Sequence, residues 1–202
     1  MVARAGLSRD RIVEAAAELA DEVGFAQVTL SAVARRFGVQ VASLYAHVDG
    51  ADDLRAGVAC LALEELADTA GGALAGRSGR DALVVLGDVY RDYAAAHPGR
   101  YDAARFPLDP ATAAASAGPR LAELTRAVLR GYHLGRADET HAVRLLGSVF
   151  HGFTSLEAAG GFSHSRPASS TSWARILDGL DVLLRSWAAD APDHSHARRT
   201  TR

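Results

Sequence analysis

Residues 30–48 read LSAVARRFGVQVASLYAHV, and the reading of this stretch decides the fold. Val33, Ala34 and Phe37 recur at helical spacing and form one apolar stripe. Ser31 stands where a hydroxyl can cap that helix by accepting a backbone N–H that otherwise lacks a partner. Gly38 follows the stripe, where a helix end takes up the left-handed conformation that glycine adopts at little cost. Gln40 then opens a second helix that turns Leu44 and Val48 inward. Ala34 is small, which lets the two helices cross closely. A small residue, a turn glycine and an inward leucine are the parts of a helix-turn-helix. Two core helices joined by a glycine turn would share the apolar pattern, but would not account for Ser43, Tyr45 and His47 facing outward.

With the helix before it and the helix after it, the stretch resembles the DNA-binding head of the tetracycline-repressor-like (TetR) transcriptional regulators. The residues that carry the resemblance are Leu30, Val33, Ala34, Phe37, Gly38, Val39, Leu44, Tyr45, His47 and Leu54, within about residues 8–60. It implies an all-α fold, with a three-helix head on a helical body for ligand binding and dimerisation. It also implies that the second helix enters the major groove with its N-terminal residues against base edges. The DNA-contact candidates are then Ser31, Arg35, Val41, Ala42, Ser43, Tyr45 and His47. Val41 and Ala42 can touch thymine methyls, and Ser43 can bond a base or a phosphate. Tyr45 and His47 reach phosphate oxygens, and Arg35 or Arg36 adds a further phosphate contact. Many family members carry a lysine near the start of the fourth helix, where this chain has Asp49, Gly50 and Ala51. Residues 1–48 hold five Arg against five acids, so the head is neutral with His uncharged, and salt-resistant binding is not implied.

The rest of the composition fits a head and a larger body. The chain has 202 residues, 49% of them hydrophobic, enough for a buried core. No apolar run approaches the roughly 18 residues of a membrane span. The first residues, MVARAGLSRDR, lack the apolar centre of a signal peptide. One cysteine, Cys60, excludes an internal disulfide and suits a reducing cytoplasm. All the Lys and Arg are Arg, and the net charge is −2, so DNA contact must come from a few placed groups.

Taken in order, residues 1–7 form a flexible arm with Arg4, and 8–53 form the head. Ser8 caps a first helix to about Val23, with Leu7 and Ile12 stapled across the cap. Ile12, Ala16, Leu19 and Val23 are its expected buried stripe, and Gly24 stops it. Asp52 starts a long helix to about Leu74, of which 54–74 link head to body. The body spans 75–189, and 190–202 are a disordered tail. Within the body, Asp81 begins a helix that Pro98-Gly99 ends, and Tyr101–Phe106 make a short helix. Residues 112–134 form the next, with Pro119 either kinking it or starting its main part. Asp138 caps a strongly apolar helix to about Ala159, and a last helix runs over Ser172–Ala188.

The body carries a second, shorter resemblance. His97-Pro98-Gly99-Arg100-Tyr101 and Phe150-His151-Gly152 are similar to a C-terminal TetR subgroup marked by Trp-His-Gly, with Phe in place of the Trp. The ligand-site candidates are Tyr90, Tyr93, His97, Tyr101, Phe106, Phe150 and His151, with His97 and His151 read as polar groups in an apolar pocket or as satisfied core histidines. The helix 138–159 bears two apolar stripes where a surface helix needs one. The second stripe, Leu145, Val149 and Leu156, together with Leu180 and Leu184 of the last helix, is the expected dimer interface. The histidines are not spaced as a metal-binding pair, and no nucleophile elbow or phosphate loop supports catalysis. The expectation is a cytoplasmic transcriptional regulator, most often a repressor in this family. It binds a palindromic double-stranded operator as a homodimer and is released by a small-molecule effector, without cofactor or metal. The alternative is a helical ligand- or partner-binding protein whose head no longer binds DNA.

Overall fold

The computed structural model describes residues 6–189, which are helical throughout and contain no strand. Arg4 and the tail from Asp190 lie outside the described residues. Among the described residues nine α-helices follow in order: α1 Arg9–Val23, α2 Leu30–Phe37, α3 Ala51–Leu74, α4 Gly79–Ala96, α5 Pro98–Ala103, α6 Pro110–Ala115, α7 Gly118–Leu129, α8 Arg136–Ala158 and α9 Ser169–Ala189.

Ser8 caps α1 as expected, its hydroxyl accepting from Arg11 N at 3.3 Å. The buried stripe differs from the expected one. Ile12, Val13, Ala16, Ala17 and Ala20 are covered, while Leu19 is half-buried and Val23 exposed. The reason is that α1 packs against both α3 and α5, and alanine lets two helix backbones approach.

The cap of α2 is Thr29, not Ser31. Thr29 Oγ1 accepts from Ala32 N at 3.2 Å, and Ser31 is an exposed residue of the first turn. Buried Leu30 pulls the helix start two residues earlier than a Ser31 cap would need. Thr29→Ala should therefore cost about 1 kcal/mol of stability in urea unfolding, and Ser31→Ala only a few tenths. Equal losses at both positions would refute this assignment. Gly38 closes the helix in the left-handed region (φ 65°, ψ 32°). Its N–H reaches Arg35 O and that of Val39 reaches Ala34 O, a Schellman closure.

The second helix of the motif is shorter than the sequence suggested. Val41–Ser43 form one 3₁₀ turn, and the chain continues through turns to His47. Ser43 N bonds Gln40 O, Leu44 N bonds Val41 O and His47 N bonds Leu44 O, all at 2.9 Å. Gln40 gives no side-chain cap, and β-branched Val39 and Val41 flank it, so little local preference extends the helix. Buried Leu44 and Val48 hold the segment in place.

The long helix α3 serves both halves. Leu54 and Val58 belong to the head core with Ile12, Val33 and Leu44, whereas Leu66, Ala67 and Ala70 belong to the body core. It starts at Ala51, a residue before the expected Asp52, and Asp53 accepts from Asp49 N at 2.8 Å. The expected helix 112–134 is two helices, separated at Ser116-Ala117. Pro119 lies in the first turn of α7, so it starts a helix rather than kinking one. Gly135, not Asp138, precedes α8, and Asp138 sits in its first turn.

Candidate DNA-binding surface and ligand cavity

The turn 41–47 is anchored from below and open above. Leu44 is fully covered, whereas Ala42, Ser43 and Tyr45 are exposed, Tyr45 to 57%. Val41 and His47 are half-buried, and Ser31 and Arg35 on α2 are exposed. Arg35 has no carboxylate partner among the described residues, but Arg36 is held by Glu18 at 2.7 Å and Glu22 at 2.8 Å. Of the two arginines considered for phosphate, Arg35 is the available one. Arg9 is engaged as well, bidentate to Asp53 at 2.6 and 2.7 Å. That hydrogen-bonded guanidinium holds the Asp53 carboxyl below its usual range. Acids that looked like free negative charge in the sequence are thus neutralised at the flank of the reading turn.

In the body, helices α3, α4, α7 and α8 surround a cavity of about 260 Å³. Leu63, Tyr90 and Phe150 line it from three of them, α7 adds Leu121, Ala122 and Thr125, and α8 adds Val143, Leu146 and Gly147. Of the seven ligand-site candidates, Tyr90 and Phe150 are here, with ring centroids 5.7 Å apart. The structure does not bring the others to this cavity. Phe106 packs edge-on against Phe25 of the head, centroids 5.8 Å apart. Tyr101 accepts from Thr154 at 3.1 Å, and its ring is 6.0 Å from that of His151, whose Nδ1 lies 3.2 Å from Ser155 Oγ. Burial pushes the His151 pKa down, with Arg105 adding to the effect.

Tyr93 and His97 join a polar cluster instead. Tyr93 donates to Glu65 at 2.7 Å, and Arg100 donates to the other Glu65 oxygen at 2.8 Å. Asp21 of α1 accepts from Arg100 N at 2.9 Å and lies 3.2 Å from His97 Nδ1. Arg100 Nε is 3.1 Å from Asp21 Oδ2 but off the hydrogen-bond line, so that contact is an ion pair only. Burial and the Glu65 carboxylate push the Tyr93 phenol well above its ordinary range. Tyr90 and Tyr93 share one stripe of α4 and His97 follows its last residue, but the seven steps from Tyr90 to His97 span about 10 Å, so one end meets the cavity and the other meets the head. Sequence reading missed Asp21, Glu65 and Arg100, because charged residues leave no periodic signal.

On the outer side of the body, Leu156 (55%), Val182 (67%) and Leu183 (38%) are exposed, and Leu145, Val149 and Ile176 are half-buried. Leu180 and Leu184 do not face outward. Both lie in the chain's own core with Trp173 and Leu177, so Val182 and Leu183 supply the outer face of α9. Among the described residues no group of three or more His, Cys, Asp or Glu is placed to hold a metal, and no helix is long and apolar enough to cross a membrane. Cys60 is half-buried, and burial raises its thiol pKa.

A small all-helical head with an exposed turn against Leu44, on a larger helical body, defines a helix-turn-helix regulator. Residues 12–58 match the family model of bacterial regulatory proteins, tetR family, and residues 83–180 match that of tetracyclin repressor-like C-terminal domains. An uncharacterised HTH-type transcriptional regulator of Mycobacterium tuberculosis, Rv0681, is 39% identical over 160 residues, covering 77% of this chain and 72% of that protein. The uncharacterised HTH-type transcriptional regulator YobS of Bacillus subtilis is 33% identical over 187 residues, covering 93% and 94%. The crystal structure of the Streptomyces coelicolor TetR family protein ActR in complex with (S)-DNPA superposes with a TM-score of 0.64 at 20% identity, covering 91% of this chain and 100% of that one. The chain belongs to the tetR family of bacterial regulatory proteins and is a DNA-binding transcriptional regulator rather than an enzyme.

Proposed function

We propose that the chain is a cytoplasmic repressor that binds a palindromic operator as a homodimer and leaves it when a small molecule fills the body cavity. The head is residues 8–53, the link 54–74, and the body 75–189. The observation that carries the reading is the polar cluster in which Asp21 of the head meets Arg100 and Glu65, with Tyr93 one helical turn from the cavity residue Tyr90. A ligand that binds better when α4 and α5 are displaced must weaken DNA binding by that difference in affinity. ActR, of the same fold, has been solved in complex with (S)-DNPA, which supports an effector here. A gel-shift assay on DNA upstream of the protein's own gene tests the reading, and absence of a specific complex would refute it.

On such DNA, Tyr45→Ala should weaken binding by about 1–3 kcal/mol, one charge-assisted hydrogen bond plus its packing. Unchanged affinity would remove Tyr45 from the contacts. Binding should also depend only shallowly on salt, since few arginines are available and each phosphate neutralised adds about 0.9 to the log–log slope. A slope near about −10 for the dimer would reveal a basic surface beyond Arg35. The alternative, a ligand-binding protein with a silent head, draws on the equal count of five Arg and five acids in residues 1–48. The same assay separates the two.

A further inference from the structure

Three tyrosines of the body, Tyr93, Tyr101 and Tyr132, are buried, and Tyr90 is half-buried. Tyr93 donates to Glu65, Tyr132 donates to Asp181 at 2.7 Å, and Tyr101 shares a hydrogen bond with Thr154. The Tyr90 hydroxyl alone has no hydrogen-bond partner among the described residues, and Tyr90 lines the body cavity. Burial pushes its phenol up to about 12, so it remains a neutral O–H donor at any physiological pH. The Tyr90 hydroxyl is not sealed from water, so a ligand acceptor in the cavity would take the place of solvent on this free donor. The second hydroxyl in the wall, Thr125 Oγ1, already donates to Leu121 O at 3.0 Å and offers only lone pairs. The other lining groups are aliphatic, aromatic or glycine, and no ionisable residue except the phenol faces a ligand. A charged molecule would lose its hydration there without a counter-charge. The volume of about 260 Å³ lies below the usual 300–1,000 Å³ of drug-sized sites, so the ligand is compact.

We propose that the cavity takes a compact, uncharged, largely apolar molecule bearing a carbonyl or ether oxygen, which accepts the hydrogen bond of Tyr90. The proposal rests on the reading of this cavity as the effector site. Three probes of similar size separate its parts: acetophenone, with a carbonyl acceptor; ethylbenzene, without one; and benzoate, an anion. By calorimetry on the full chain, acetophenone should bind, Tyr90→Phe should weaken it about ten-fold, and ethylbenzene should be indifferent to that change. Benzoate should not bind. Gly147 lines the cavity and a Cβ there meets no atom within 4 Å, so Gly147→Leu should fold, occupy the cavity and lose acetophenone. Circular dichroism and the melting temperature verify both variants. Benzoate binding as well as acetophenone, an unchanged acetophenone affinity in Tyr90→Phe, or retained binding in Gly147→Leu would each overturn the proposal. If binding depends on Tyr90 but saturating acetophenone leaves operator affinity unchanged, the ligand class stands and the link from this cavity to DNA falls.

Discussion

Replacing Val182 by Arg should convert the proposed homodimer to monomers of 21.2 kDa in light scattering and abolish binding to the proposed operator with it. Val182 (67% exposed), Leu183 and Leu156 are exposed apolar residues of α8 and α9, and Leu145, Val149 and Ile176 of the same helices are half-buried. An apolar patch of that extent is unusual on a monomer. Gly152 and Gly179 lie inside these helices with open space where a side chain would be. A glycine inside a helix costs about 1 kcal/mol relative to alanine, which is offset if the helices of a second copy approach closely there. A two-fold interface repeats every substitution, so each dimer would bury two unpaired guanidinium groups. An uncompensated buried charge costs about 3–5 kcal/mol, and the two-fold imposes that cost twice. Leu184→Ala is the matched control. It leaves a hole in the subunit core and should lower stability by about 2–5 kcal/mol without acting on association first. A Val182→Arg protein that keeps the dimer mass and the operator would show that this face is not the interface.

The reach of the sequence is visible in that pair of residues. The double stripe of α8 was legible because Val143, Leu146, Phe150 and Phe153 alternate with Leu145, Val149 and Leu156 at helical spacing, and the first set is buried except for half-buried Val143. On α9 the apolar residues Ile176, Leu177, Leu180, Val182, Leu183 and Leu184 run around the helix, so periodicity does not say which side a neighbour covers. The head was legible where the signals are local, in Ser8, Gly38, Leu44 and Val48. Ser31 and Thr29 are both competent caps two residues apart, and only the burial of Leu30 decides between them. In the cavity, Tyr90 and Phe150 carry the helical stripe that the sequence displays. The seat of Phe106 against Phe25, and of Arg100 between Asp21 and Glu65, depends on contacts across 35 to 81 residues, which no window reads. Pro98-Gly99 was legible as the end of α4, but not as the start of α5 or for what Gly99 faces.

Gly99 faces the backbone of the head, and Gly99→Ala is expected to be the most damaging single methyl in the chain. A Cβ there would lie 2.0 Å from both the carbonyl carbon and the oxygen of Ala20, and 2.6 Å from Asp21 N. These are backbone atoms of α1, so no change of rotamer relieves the overlap, and α5 itself must move away. Ala103, wholly buried in the head core, would be withdrawn with it, and the bond from Arg100 N to Asp21 Oδ1 at 2.9 Å would break. Overpacking commonly costs about 1–3 kcal/mol where side chains can adjust, and a clash with fixed backbone belongs at or above the upper end. For a chain of this size, about 3 kcal/mol lowers the melting temperature by about 6–12 °C. Gly147→Ala, with no atom within 4 Å of its Cβ, adds the same methyl to a helix and should be neutral or slightly stabilising. Because α5 joins the cavity side of the body to α1, the Gly99 variant should also bind operator more weakly at temperatures where it is still folded. A Gly99→Ala protein that melts with the parent would mean that α5 does not sit on α1 as described, and the route from cavity to reading turn would have to run elsewhere.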